Sequence, residues 1–251
     1  MSTTVPHNQP VIVRARTRTG TQTDCTPEQR VTRSLLGYGV VAGPFYVAVS
    51  LAQASVRDGF DLTRHEWSLL ANGPGGWIQI TNLILTGLMV VAAAAGYRRA
   101  MASGVGRRSV PILLAVYGVS LVAAGAFRAD PMSGFPAGTP DGPPVAPTLH
   151  GMLHIVSGGV GFLALIIATF VLARRFRRQG RSGRAVGCIV TGVAFLTAFV
   201  GIASGATTPA INLAFTAAVL LVWAWLCSSS AHLYKHPADP FTNANPIKKE
   251  R

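Results

Sequence analysis

Six stretches of this 251-residue chain, each 18 to 24 residues long, contain no Asp, Glu, Lys or Arg. They span residues 35–56, 77–97, 110–127, 150–173, 185–204 and 206–227. A bilayer core about 30 Å thick is crossed by a helix of about 20 apolar residues. Lipid offers the backbone no hydrogen-bond partner, so a spanning segment is an α-helix or belongs to a closed β-barrel. Barrel strands alternate apolar and polar residues over about 10 positions. These stretches are continuously apolar and rich in Ala, Leu and Gly. The fold class expected is an all-α membrane protein, a six-transmembrane-helix bundle. Charged residues make up 12% of the chain, against about 25% in a soluble domain. That is too few to cover a soluble surface, and the composition excludes a disordered tail protein, a collagen-like fibre and a disulfide scaffold.

The charges divide by side. The segment before the first stretch, the second and fourth connections and the C-terminal segment carry nineteen Lys and Arg against four acids. The other side holds Arg57, Arg64 and Arg128 against Asp58, Asp61, Glu66, Asp130 and Asp141. The positive-inside rule then puts both termini in the cytoplasm, which an even helix number satisfies. The net charge of +13 is thus read as a topology signal, with no nucleic-acid partner, because no basic stripe with interleaved aromatics accompanies it. The expected location is the plasma membrane. Cys25, Cys188 and Cys227 fall on or near the cytoplasmic side, where no disulfide is expected. Ala52-Gln53-Ala54 resembles a signal-peptidase triplet, but the preceding apolar run is too long, and the first helix reads as a retained anchor.

Residues 1–33 lack an apolar period and read as a disordered basic cytoplasmic tail; residues 34–227 form the membrane domain and 228–251 a loose, Pro-containing cytoplasmic tail. Two outer connections, 57–76 and 128–149, are each about 20 residues, a length that marks functional or disordered loops. The second holds six prolines. Gly39/Gly43, Gly201/Gly205 and Gly158/Gly161 are candidate helix-contact positions, because small residues let backbones approach in lipid.

Polar residues collect at the outer level. His150 and His154, four apart, share one face at the start of the fourth helix. His65 lies in the first outer connection, three residues before Ser68, and Asp130 closes the third helix. Two His at this spacing bind one divalent metal, such as zinc, and a third His completes a catalytic set with an open position. The metal candidates are therefore His150, His154 and His65, with Asp130 or Glu66 as general base. The sequence is not H-E-x-x-H, because Gly151 stands where the Glu belongs. Interfacial structural histidines and a ligand or proton pathway are the competing readings. Gln79, Asn82 and Thr86 form a polar stripe along the second helix, read either as interhelical hydrogen bonding or, with Trp77 at the outer boundary, as ligand-binding groups.

His65-Glu66-Trp67-Ser68, then Gly75-Gly76-Trp77, Asn82 and Gly87, resemble the bacterial membrane family called domain of unknown function 998. Phe127-Arg128-Ala129-Asp130-Pro131 and Thr148-Leu149-His150-Gly151-Met152-Leu153-His154 complete the resemblance, which spans roughly residues 35–227. Arg128 departs from the small residue or Pro more usual there. The resemblance implies six membrane helices and a polar centre of Ser68, Asp130, His150 and His154; it implies no established reaction. In residue types the set is also similar to membrane metal hydrolases of the alkaline ceramidase and progestin-receptor type, which have seven helices.

The sequence thus leads to a plasma-membrane protein with an outward-facing pocket between helices two, three and four, recognising a lipid or small envelope molecule. The enzyme alternative is a metal-dependent hydrolase of lipid amides or esters, with Asp130 and Ser68 as catalytic groups. The third is a non-catalytic subunit of a membrane complex. Oligomeric state is not legible.

Overall fold

The computed structural model describes residues 26–205 and 208–236. Six helices, α1 (Pro27–Val56), α2 (Gly76–Ala100), α3 (Ser109–Ala126), α4 (Leu149–Arg178), α5 (Ser182–Ala203) and α6 (Pro209–Lys235), account for most of them, with a 3-10 turn at Trp67–Ala71. All six are long and apolar enough to cross a membrane. Each carries large apolar side chains on its outward face, such as Leu88, Val119 and Val193, as a lipid solvent requires.

Several helices outrun their apolar stretch. α1 begins at Pro27 rather than Leu35, so part of the expected tail is helical; residues 1–25 lie outside the described residues. Thr26 caps it in a reciprocal pair, accepting from the Gln29 N–H at 3.3 Å while Gln29 Oε1 accepts from the Thr26 N–H at 3.2 Å. α4 continues to Arg178 and α6 to Lys235, with basic residues in their last turns, where they complement the helix dipole. A helix needs apolar residues only where lipid surrounds it, so hydropathy marks the crossing and not the ends.

Each helix packs on its neighbours in sequence, and α6 closes onto α1, giving a six-membered ring. Glycines set two of the seams. Along α2–α3, Gly87 and Gly118 face each other so closely that a Cβ at either would lie 2.5 Å or 2.7 Å from the other's carbonyl oxygen. Along α1–α6, Gly39 lies against Ser230 and Gly43 against Trp223, as the first glycine pair leads one to expect. The second pair does not behave so. Gly205 has a φ of 76° in the turn after α5, and a Cβ there meets nothing among the described residues, while Gly201 makes only ordinary contact with Ile211. Gly158 likewise meets no atom within 4 Å, whereas Gly161 lies against Ser120.

The buried amides of α2 are paired. Gln79 and Asn82 are 0% and 1% exposed. Gln79 Oε1 accepts from Gln53 Nε2 at 2.8 Å, and Asn82 Nδ2 donates to the Tyr46 carbonyl and Ser50 Oγ, both at 3.1 Å. This network joins α1 to α2. At the opposite, arginine-rich end, Arg99 donates to Thr32 Oγ1, Arg175 to the Ser103 and Val105 carbonyls, and Arg33 lies over the Tyr234 ring.

Candidate functional site

The two long connections form one cap over the ring. Arg57 donates to the Leu70 and Asn72 carbonyls and lies 5.3 Å from the Phe135 ring centroid. Asn72 donates to the Ala129 carbonyl at 3.0 Å, and Asn212 of α6 reaches the Thr63 carbonyl at 3.1 Å. Leu69, Leu70 and Phe135 form a small core of their own. His65 is the pin of this cap. It is 1% exposed, its Nδ1 accepts the Asp61 N–H at 2.9 Å, and its Nε2 donates to the Ser133 carbonyl at 3.0 Å. A carbonyl only accepts, so Nε2 carries the proton. Both ring nitrogens are spent on the backbone.

The junction of α3 and α4 gathers the other predicted residues. Asp130 accepts from the Thr148 N–H at 2.9 Å and from Thr148 Oγ1 at 2.6 Å, and Thr148 in turn caps α4 by accepting the Gly151 N–H at 3.0 Å. The carboxylate therefore sits over a helix N-terminus, where negative charge is favoured. Gly151 is there because a Cβ would lie 2.0 Å from Asp130 Oδ2. His154 Nδ1 contacts the Ala124 and Phe127 carbonyls at 3.1 and 2.8 Å, and the exposed His150 ring packs on Phe127 at 5.8 Å. The F-x-x-D-P and H-G-x-x-H segments are thus two halves of one latch.

The structure does not bring His65 to His150 and His154. Among the described residues, no group of three His, Cys, Asp or Glu is placed to hold a metal ion. His154 keeps one nitrogen to spare: with Nδ1–H held by carbonyls, Nε2 of the neutral ring is left as an acceptor or base.

His154, Asp130 and Ser68 line a cavity of about 600 Å³, within the usual range of about 300–1,000 Å³ for small-molecule sites. Its walls come mainly from α3 to α6, with Tyr46 and Leu83 the contributions of α1 and α2, and Trp67 of the cap against Tyr46 at 5.7 Å. The cavity lies further round the ring than the pocket expected between helices two, three and four. Gln79 and Asn82 do not line it, because they face α1. Trp77, 68% exposed on the first turn of α2, does not line it either. The lining reaches Ile155, Gly158 and Gly159 of α4 and Ile202 and Ala203 of α5, so the space extends to the outer flank of the α4–α5 seam. Sequence reading missed the aromatic walls, Tyr117, Phe162, Phe195 and Trp223 among them, since nothing distinguishes a cavity-facing ring from a lipid-facing one until the helices are placed.

Glu66 stands at the polar side of this cavity. Burial pushes its carboxyl above the ordinary carboxylate value, against the pull of its own backbone N–H and of His65 and His154. The folded protein then holds this proton to higher pH than the unfolded chain does, so stability falls as pH rises from the ordinary value through the raised one. Glu66→Gln, neutral throughout, is expected to melt above wild type at pH ~7, the gap closing by about pH 4. Thermal unfolding in detergent at both pH values checks this; a gap that does not change with pH refutes it.

A family model described as "Protein of unknown function (DUF998)" matches residues 40–232. No curated protein and no solved structure matches the chain.

Proposed function

The chain belongs to the DUF998 family, and from that premise we propose that it is a plasma-membrane protein, with both termini cytoplasmic, that holds a lipid or small envelope amphiphile in its outward-facing cavity. The observation that carries this reading is the division of one cavity into two chemistries. Glu66, Ser68, Asp130 and His154 supply polar groups on one side, and aromatic and aliphatic side chains supply the rest. An amphiphile has the same division, with a tail that gains about 25 cal/mol per Å² of apolar surface removed from water.

The α4–α5 flank provides the test. A Cβ added at Gly158 meets no atom of the described residues within 4 Å, yet Gly158 is part of the cavity wall. Gly158→Phe is expected to leave the thermal midpoint close to wild type while reducing co-purified lipid, read by native mass spectrometry, several-fold. Undiminished lipid in a folded Gly158→Phe variant refutes the cavity as the binding site. The second reading, a hydrolase of lipid amides or esters, draws on His154, whose Nε2 is the one ring nitrogen of this histidine left free for acid–base work or a metal. The same spectra separate the two readings, because cleaved lipid accompanies only a hydrolase.

A further inference from the structure

The polar side of the cavity has a definite sign. Glu66 and Asp130 both line it, and among the described residues no Lys or Arg does. The arginines of the cap are committed elsewhere: Arg57 to the carbonyls of Leu70 and Asn72, and Arg64 to Asp141 at 2.6 Å. Arg128 is exposed to solvent, where its field is screened. Asp130 spends its Thr148 bonds on two of the roughly four acceptor positions a carboxylate offers. His154 adds a further acceptor at Nε2 in its neutral form, since Nδ1 is the protonated nitrogen.

A second observation points to an occupant. Trp67 lines the cavity and is 5% exposed, and its indole N–H has no hydrogen-bond partner among the described residues. A buried donor left unmade is costly, and a ligand oxygen brought beside it relieves that cost. The demand at this level is therefore for donors opposite two carboxylates and an imidazole nitrogen, and for an oxygen acceptor beside Trp67.

We infer that the cavity selects an amphiphile whose head carries an ammonium group, and rejects anionic heads. This rests on the lipid-binding reading above. An ammonium brings three N–H donors and no acceptor, the complement of Glu66, Asp130 and His154. An anionic head meets like charge in a partly dry space, where such juxtaposition costs several-fold to many-fold in affinity.

The test uses three probes of one chain length, dodecylamine, dodecanol and dodecanoate, mixed in equal amounts with the full chain in a neutral maltoside micelle near pH ~7. At that pH the amine is protonated and the carboxylate ionised. Native mass spectrometry reads the ratio bound. The amine is expected to exceed the carboxylate by at least about tenfold, and Glu66→Gln is expected to remove most of that preference without loss of fold. Trp67→Phe is expected to leave the charge preference intact. Equal binding of all three probes to wild type, or an unchanged preference in Glu66→Gln, overturns the charge selection and leaves the cavity reading standing. Binding of no probe, or binding that Gly158→Phe does not reduce, overturns the cavity reading and the selection together.

Discussion

Alanine at Gly118 is expected to destabilise the ring by about 2–3 kcal/mol, the upper range for overpacking a tight interior. A Cβ there would lie 2.7 Å from the Gly87 carbonyl oxygen and 2.9 Å from the Val91 amide nitrogen. These are backbone atoms, so relief comes only from moving α2 away from α3. Gly87→Ala meets the Gly118 carbonyl at 2.5 Å and is expected to cost a similar amount. The control is Gly187→Ala on α5, where nothing lies within 4 Å. There the change gains up to about 1 kcal/mol of helix propensity. The same chemical substitution thus has opposite signs at two helical glycines. Once one methyl has parted the seam a second adds less, so the Gly87→Ala, Gly118→Ala double variant is expected to cost less than the sum. Reversible unfolding in mixed micelles gives all four numbers. A Gly118→Ala protein as stable as Gly187→Ala would show that the α2–α3 approach is looser than described.

The second large effect is expected at Gly151. Alanine there would put a methyl 2.0 Å from Asp130 Oδ2 and 2.5 Å from its Cγ. The carboxylate must leave the first turn of α4 and give up its bonds to Thr148. Hydrogen bonds to charged groups contribute about 1.5–3 kcal/mol, so a loss of about 3 kcal/mol is expected. The cycle with Asp130→Ala isolates the cause: with the carboxylate already gone, Gly151→Ala is expected to cost almost nothing, leaving a coupling of about 3 kcal/mol. Additive losses would mean that Gly151 is needed for another reason. Because Asp130 and His154 share this junction with the cavity, Gly151→Ala is also expected to weaken ligand retention.

The F-x-x-D-P and H-G-x-x-H segments show how far a local pattern reaches. Residue types and spacing identified Asp130, His150 and His154 as a polar group at one end of the bundle. They did not show that Asp130 caps α4 through Thr148, nor that His65, equally conspicuous in sequence, spends both nitrogens on Asp61 and Ser133. The first depends on how the second connection closes on itself across 18 residues, the second on how two loops 68 residues apart meet. Gly201 and Gly205 show the same limit, since a spacing of four that packs α1 at Gly39 and Gly43 ends in a turn after α5.

The sequence by itself determined the six helices, because lipid leaves a charge-free stretch of that length no other way to satisfy its backbone. It determined the polar stripe at Gln79 and Asn82, because amides at membrane depth need partners. Tertiary structure alone decided where those amides pair, which glycines touch, and that a cavity opens between α3 and α6. Its walls are Phe, Tyr, Trp and Leu, the residue types that also face lipid. Only the closure of α6 onto α1 sorts inside from outside, and that closure is a property of the ring and of no segment within it.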